Sequence, residues 1–364
     1  MYDSNKAKEI LEKKIEQGRV SAAALFERVH REAPHDTIAK GKAMRFLSRY
    51  SENKKTGVLE LGYGDVLTEV HPHALGQLAQ RAGVPHQYLA DLVRSPLSWQ
   101  HGLATTILGA HFNVGETDTR FLVRRVGDTT RGVLSDKYRR LDSRPLLDAF
   151  GEECQRVGAV PVDGIVSDTR VSLRALNPTV YEPVPGEVVA FGVEWHNSDF
   201  GAGAHSLRAF MLRVWCLNGA TAENALSQVH LGRGISDDIE LSKKTYELDT
   251  RASISALRDV VGGLLSHRRI EQSIATVRAA ADKQVTWAQV APQLSKALLK
   301  GEMKAAKDSF ESQDVYNLPA GNTMWRVSNA LSWIAGSTED ADRKLELQRL
   351  AGQVLDGRKD KVAA

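Results

Sequence analysis

From Arg120 to about Cys216 apolar residues recur at every second position, interrupted by one helical segment, while the flanking regions repeat at three and four. Period two sends successive side chains to opposite faces of a strand, and a period near 3.6 draws an apolar stripe along a helix. A chain carrying both must build a sheet from its middle and helices from its ends. The expected class is therefore α+β, with a central, mostly antiparallel sheet between helical N-terminal and C-terminal regions. "RFLVRRV", the turn "GDTT" and "RGVLSD" read as a hairpin, in which Phe121, Val123 and Arg125 share one face and Leu122, Arg124 and Val126 the other. "TRVSLRAL", "EVVAFGVEWHNSD" and the end of "HSLRAFMLRVWCLNG" continue the alternation, giving strands near 168–176, 187–198 and 205–217, and Asn218-Gly219 signals a turn. The interrupting helix, "SRPLLDAFGEECQRVG", takes Ser143 as N-cap and stops at Gly158.

Outside this core, Ile10, Leu11, Ile15, Val20, Leu25 and Val29 mark a helix from Lys6 to about Arg31, broken by "EAPHDTIAKG". "HALGQLAQRAGVPHQYLADLVRS" pairs two short helices about Gly83, with Pro85 at the first position of the second. After Ser242 the chain turns helical, and Ile254, Leu257, Val261, Leu264, Leu265 and Arg268 mark one face of a single long helix. The expected division is a helical arm over 1–50, an α+β domain over 51–240 with a helix-turn-helix-like pair at 74–94, and a helical region over 241–364.

No apolar run is long enough to cross a bilayer, and "MYDSNKAKEILEKK" is charged from the start, without the apolar segment of a signal peptide. Cys154 and Cys216 stand far apart without metal-ligand spacing, which fits buried thiols in a reducing compartment. The expectation is a cytoplasmic chain with no membrane partner.

Net charge is only +3, yet Arg120, Arg124, Arg125, Arg131, Lys137, Arg139, Arg140 and Arg144 fall in one segment opposed only by Asp128, Asp136 and Asp142. Such a segment can hold a phosphate backbone, and it can equally be a solvated face. Tyr138, inside "KYRR", offers a ring for stacking on bases. Arg174, Arg208 and Arg213 alternate with apolar neighbours and could face a groove. In "NSDFGAGAH", Asn197, Ser198 and Gly201 would let a strand approach the main chain. Enzymatic signals are weaker. Glu194 and Asp199, with Asp168, could converge on Mg²⁺ across neighbouring strands, but Asp199 serves equally well as a turn residue. Ser198 lacks a nucleophile-elbow setting, the glycines of "DFGAGAH" precede no phosphate-loop lysine, and the "HPH" histidines complete no compact zinc set.

"QLAQRAGVPHQYLADL", "GVLSDKYRRLDSRPLLDAF", "HNSDFGAGAHSLRAFMLRVWCLNG", "HLGRG" and "NTMWRVSNALSWIAG" occur in that order between about Leu75 and Ala335. Together they resemble the phage/plasmid-like proteins built on a domain of unknown function, found in prophages, plasmids and virulent phages. Asn197-Ser198-Asp199 with Gly201, and Cys216-Leu217-Asn218-Gly219, carry most of the resemblance. The family's pattern has glutamate after the Asn-Ser pair, where this chain has Asp199. The resemblance implies a mobile-element protein and supplies no active site. Three strands followed by a long helix also resemble, at fold level, the core of single-strand annealing proteins, which typically assemble as rings or helical filaments holding one DNA strand in a basic groove. The expected function is single-stranded DNA binding and annealing in recombination or replication, by a homo-oligomer needing neither cofactor nor ATP. The alternatives are a Mg²⁺-dependent nuclease using Glu194 and Asp199, and a non-catalytic partner protein countering a host defence.

Overall fold

A computed structural model describes residues 4–115, 119–215, 218–228, 242–313 and 318–356. Its mixed α+β class is the expected one, but the sheet is two sheets. In chain order come α1 (Ser4–Arg31), β1 (His35–Lys40), β2 (Arg45–Ser51), β3 (Thr56–Tyr63), β4 (Val66–Val70), α2 (Pro72–Arg81), α3 (His86–Arg94) and α4 (Ser98–Gly109). After them come β5 (Arg120–Val126), β6 (Thr129–Ser135), α5 (Ser143–Arg156), β7 (Val160–Val166), β8 (Val171–Val184), β9 (Glu187–Asn197), β10 (His205–Arg213) and β11 (Asn218–Gln228). The chain ends in α6 (Lys243–Leu264), α7 (His267–Asp282), α8 (Trp287–Leu294), α9 (Lys300–Glu311), α10 (Met324–Ser337) and α11 (Ala341–Asp356). Among the described residues no helix is long and apolar enough to cross a membrane.

The first sheet has the order β1-β5-β6-β4-β3-β2, antiparallel except where β4 runs parallel to β6. Its core packs Leu59, Leu61, Phe121, Val123 and Val133 against Leu75, Leu78, Leu89 and Val93 of α2 and α3. The helix-turn-helix-like pair is thus a packing unit, with Gly83 at φ +68° between its helices and Pro85 as N-cap rather than first helical residue. β1 and β2 are opposite edges of this sheet, yet only Gly41–Met44 joins them. Five strand spacings of about 4.8 Å would separate the edges of a flat sheet by about 24 Å, and the connection reaches about 18 Å. The sheet is therefore twisted and curled until its edges approach.

The second sheet, β11-β10-β9-β8-β7, is an antiparallel meander. On one side Val193, Trp195 and Leu207 meet Leu147 and Phe150 of α5 and Leu257 and Val261 of α6. Phe191 and Met211 join a separate core with α7, α10 and α11. The N-terminal helix is not a free arm: Leu11 and Leu25 of α1 are buried in the cores of this sheet. The helical reading of 1–50 holds only to Arg31, because His35–Lys40 and Arg45–Ser51 are strands of the first sheet. The single helix expected after Ser242 is two, broken at Leu265 and Ser266. Ser242 caps the first of them through Thr245 N–H. The embedded helix begins one residue earlier than expected, with Asp142 as N-cap and Ser143 inside, while Gly158 terminates it at φ +74°.

Gly18 lets α1 lie directly on β7, since a Cβ there would sit 2.3 Å from Val162 Cα and 2.7 Å from Pro161 O. Helix propensity alone favours alanine over glycine by about 1 kcal/mol. The backbone contact outweighs it, so Gly18→Ala should lower stability by roughly 2 kcal/mol in urea unfolding. A stabilised variant would show that α1 does not dock this closely.

Candidate functional site

The arginines of 120–144 do not form an open strip. Arg124 is 1% exposed: its Nε donates to Asp36 Oδ1 at 2.7 Å, its Nη2 to Asp142 Oδ1 at 2.6 Å and its Nη1 to the Asp199 carbonyl at 2.6 Å. Burial alone would weaken its basicity, but the charges of Asp142, Asp36 and Asp199 reverse that and hold the guanidinium protonated. A bulge between Arg124 and Arg125 shifts the register, so the regular two-face alternation expected for the hairpin ends there. Arg131 pairs with Glu32 at 2.8 Å, and Arg139 grips Asp249 through two bonds of 2.6 and 2.7 Å. Arg140 lies 3.5 Å from Asp36 and 5.1 Å from the Tyr246 ring, and Arg125 donates to the Gly127 carbonyl. Lys137 stays half-buried at the end of the hairpin. Tyr138 is 6% exposed and donates to the Ser198 carbonyl at 3.3 Å, so its ring cannot stack on a base. The expected phosphate strip is corrected accordingly: its principal cations are neutralised by resident acids.

The other expected residues are equally occupied. Arg174 and Glu194 form a buried pair at 2.7 Å, and Arg213 donates to both oxygens of Glu187. Arg208 is half-buried beside Glu194 in the strand register. Asp168 pairs with Arg28 at 2.6 Å. Glu194 and Asp199 are bound to different partners, and among the described residues no group of three or more His, Cys, Asp or Glu could hold a metal ion. Cys154 is buried, and desolvation pushes its thiol up to about 12, away from reactivity. Cys216 and the "HLGRG" segment lie outside the described residues.

The Asn197–Gly203 loop is the joint between the two sheets. Asn197 Nδ2 donates to the Leu141 carbonyl at 2.8 Å and to Ser143 Oγ at 3.0 Å. Ser198 Oγ donates to the Thr169 carbonyl and accepts from the Ala202 N–H, folding the loop on itself. Asp199 Oδ1 accepts both the N–H and the Oγ–H of Ser143, at 2.7 and 2.6 Å. From the first sheet's side, Gln77 Nε2 and His73 Nε2 each reach the Phe200 carbonyl at 2.9 Å. Gly201, at φ +78°, sits where a Cβ would meet Leu134 Cδ2 at 2.7 Å. These residue types suit a close-packed junction.

An exposed set of cations lies elsewhere, at the curled edge of the first sheet. Lys40, Lys42, Arg45, Arg49, Lys54 and Lys55 are all exposed, with Glu52 the only acid among residues 40–55. Leu47 and Tyr50, 51% and 36% exposed, interleave them on β2. Glu60 pairs with Arg49 and Glu69 with Lys54 in exposed contacts. Exposed pairs contribute only about 0–1 kcal/mol and exchange readily for another anion. Charge density in a sixteen-residue window marks this segment more strongly than the longer 120–144 segment, and that was the missed signal.

Compared with protein-family profiles, curated proteins and solved structures, the chain matches none.

Burial and then the like charge of Asp142 raise Asp199 to about 6, against the pull of Arg124 and the two Ser143 bonds. An acid raised on folding contributes stability that is complete below its unfolded value near 4 and lost as pH climbs through 6. Asp199→Asn keeps an oxygen for Ser143 and removes this dependence. Relative to the parent chain, the variant should gain about 2 kcal/mol between pH 4 and pH 7 in urea unfolding. A pH-independent difference would show that Asp199 does not titrate in this range.

Proposed function

We propose that this chain is a non-catalytic binding protein for single-stranded DNA, of the mobile-element kind, which anneals strands without ATP. The observation that carries the reading is the exposed strip Lys40–Lys55. Its six cations can follow a phosphate backbone while Leu47, on the same face of β2 as Arg45 and Arg49, offers apolar surface to bases. The strip continues around a curled sheet edge, so a flexible strand fits it better than a stiff duplex. Assembly into a ring or filament belongs to the same reading, with the strip of each copy continuing that of the next. No observation favours cleavage, since Glu194 and Asp199 are engaged by Arg174 and Ser143.

Edge strands also carry Lys and Arg simply to discourage sheet-to-sheet aggregation, and binding separates the two roles. Fluorescence anisotropy with a labelled oligo(dT) should give an affinity that falls with salt. The Arg45→Glu/Arg49→Glu variant should weaken it roughly tenfold or more and lower the salt slope by about 1.4, two contacts at about 0.7 each. Lys300→Glu/Lys304→Glu, on the remote α9, should leave both quantities unchanged. Equal affinity in parent and β2 variant would reject the strip, and absence of binding at low salt would reject the function.

A further inference from the structure

Strand register builds a polar array into the second sheet that the single-strand reading does not use. Arg174, Glu194 and Arg208 stand side by side across β8, β9 and β10, and two residues further along Ser172, His196 and Ser206 do the same. Alternation puts all six on one face. Ser172, Arg174, Glu194, His196 and Ser206 are each 3% exposed or less. Arg170, the residue before β8, donates to the Ala202 carbonyl and lies 3.5 Å from Asp342 of α11. Arg349, also on α11, acts electrostatically on Glu194, His196 and Arg208. The guanidinium groups of Arg170, Arg174, Arg208 and Arg349 thus meet the carboxylates of Glu194, Asp342, Asp163, which lies 3.2 Å from Arg174, and Glu346, which acts on Arg349.

The hydrogen bonding inside the array is lopsided. Glu194 Oε1 accepts from Ser172 Oγ at 3.0 Å and from Arg174 Nη2 at 2.7 Å, whereas buried Oε2 accepts from no protein atom. His196 Nδ1, Ser206 Oγ and the Nε and Nη2 of Arg349 are likewise buried without a protein partner. Burying so many unpartnered polar atoms is a cost that a native fold rarely tolerates in one place. The local field is positive. Burial, followed by the Arg349 charge, brings Arg208 down to about 10 and His196 down to about 3, so the imidazole is neutral. Burial opposes ionisation of Glu194, but Arg174, Arg349 and Arg208 keep it ionised, at about 2.

The orphaned atoms define the chemistry of what would complete them. Arg349 needs acceptors, Ser206 and His196 can give or take one bond, and Glu194 Oε2 needs a donor. A fully deprotonated oxyanion meets the first requirement and not the last. A protonated phosphate meets all of them, with its P–O oxygens on Arg349 and Ser206 and its P–OH on Glu194. We propose that Glu194, His196, Ser206 and Arg349 form a binding site for hydrogen phosphate, free or as the terminal group of a monoester. Arg170, Arg208 and Arg349 are only half-buried, so they connect the array to the surface.

Thermal melting of the full chain with added inorganic phosphate, with sulfate at matched ionic strength, and with a nucleoside monophosphate tests this. Phosphate should raise the midpoint by several degrees, and sulfate should not. Arg349→Met and Ser206→Ala should each reduce the phosphate shift by at least half. Isothermal titration of the parent chain with phosphate gives a second readout that does not depend on either variant folding. A shift with phosphate but not with the monophosphate identifies the free ion as the ligand, and a shift with the monophosphate identifies a monoester terminus. Equal shifts with sulfate and phosphate, an undiminished shift in a folded Arg349→Met, or no heat and no shift with any phosphate would overturn the proposal. Loss of oligo(dT) binding alone bears on the β2 strip and leaves this site standing.

Discussion

The Arg124 guanidinium holds the molecule together. It enters from β5 of the first sheet and is taken on three sides by Asp36 of β1, Asp142 at the start of α5 and the Asp199 carbonyl in the loop after β9. Each contact belongs to a different part of the chain, so one side chain fixes an edge strand, a helix terminus and the exit of the second sheet. A charge this deep costs several kcal/mol to desolvate and is stable only with its hydrogen bonds satisfied. Around it, the Ser143–Asp199 and Asn197–Ser143 bonds tie α5 to the loop, and the Phe200 carbonyl ties the loop back to α2. The sheets are joined through polar contacts whose angles matter, a firmer constraint on orientation than apolar contact alone.

Much of the fold was legible because its period was strong. The β5–β6 hairpin, β8, β9, β10, α5, the α2–α3 pair and the helix start at Ser242 all follow from alternation, turn residues or caps. β1 and β2 were not legible: "HDTIAK" and "RFLSRYS" are short, half-exposed edge strands with no clean apolar face. The break after α6 was hidden because Leu264, Leu265 and Arg268 continue the stripe across it. The cap at Asp142 was misplaced because Ser143, a good capping residue, spends its hydroxyl on Asp199.

The function of the arginines was illegible for a different reason. A count of nearby acids sees only sequence neighbours, and the neutralising partners are distant: Asp36 lies 88 residues from Arg124, Glu32 lies 99 from Arg131 and Asp249 lies 110 from Arg139. A basic run on interior strands therefore reads as a binding strip until the fold closes over it. The segment Lys40–Lys55 escapes this because it forms a connection, an edge strand and a turn, where few elements can cover it. The same separation explains the Asn-Ser-Asp motif. It suggests chemistry in sequence, while in space it serves a joint.

The joint is tested most directly by unfolding Arg124→Met in urea while following two signals. Trp195, Trp287, Trp325 and Trp333 lie in or against the second sheet, and of the six tryptophans only Trp99 belongs to the first sheet's helices, so fluorescence reports mainly the second unit and far-ultraviolet dichroism reports both. In the parent chain the two curves should coincide. In the variant, loss of the buried cation should lower stability by about 3–5 kcal/mol and separate the curves as the sheets uncouple. Curves that still coincide at an unchanged midpoint would show that the two sheets are held together by something other than this arginine.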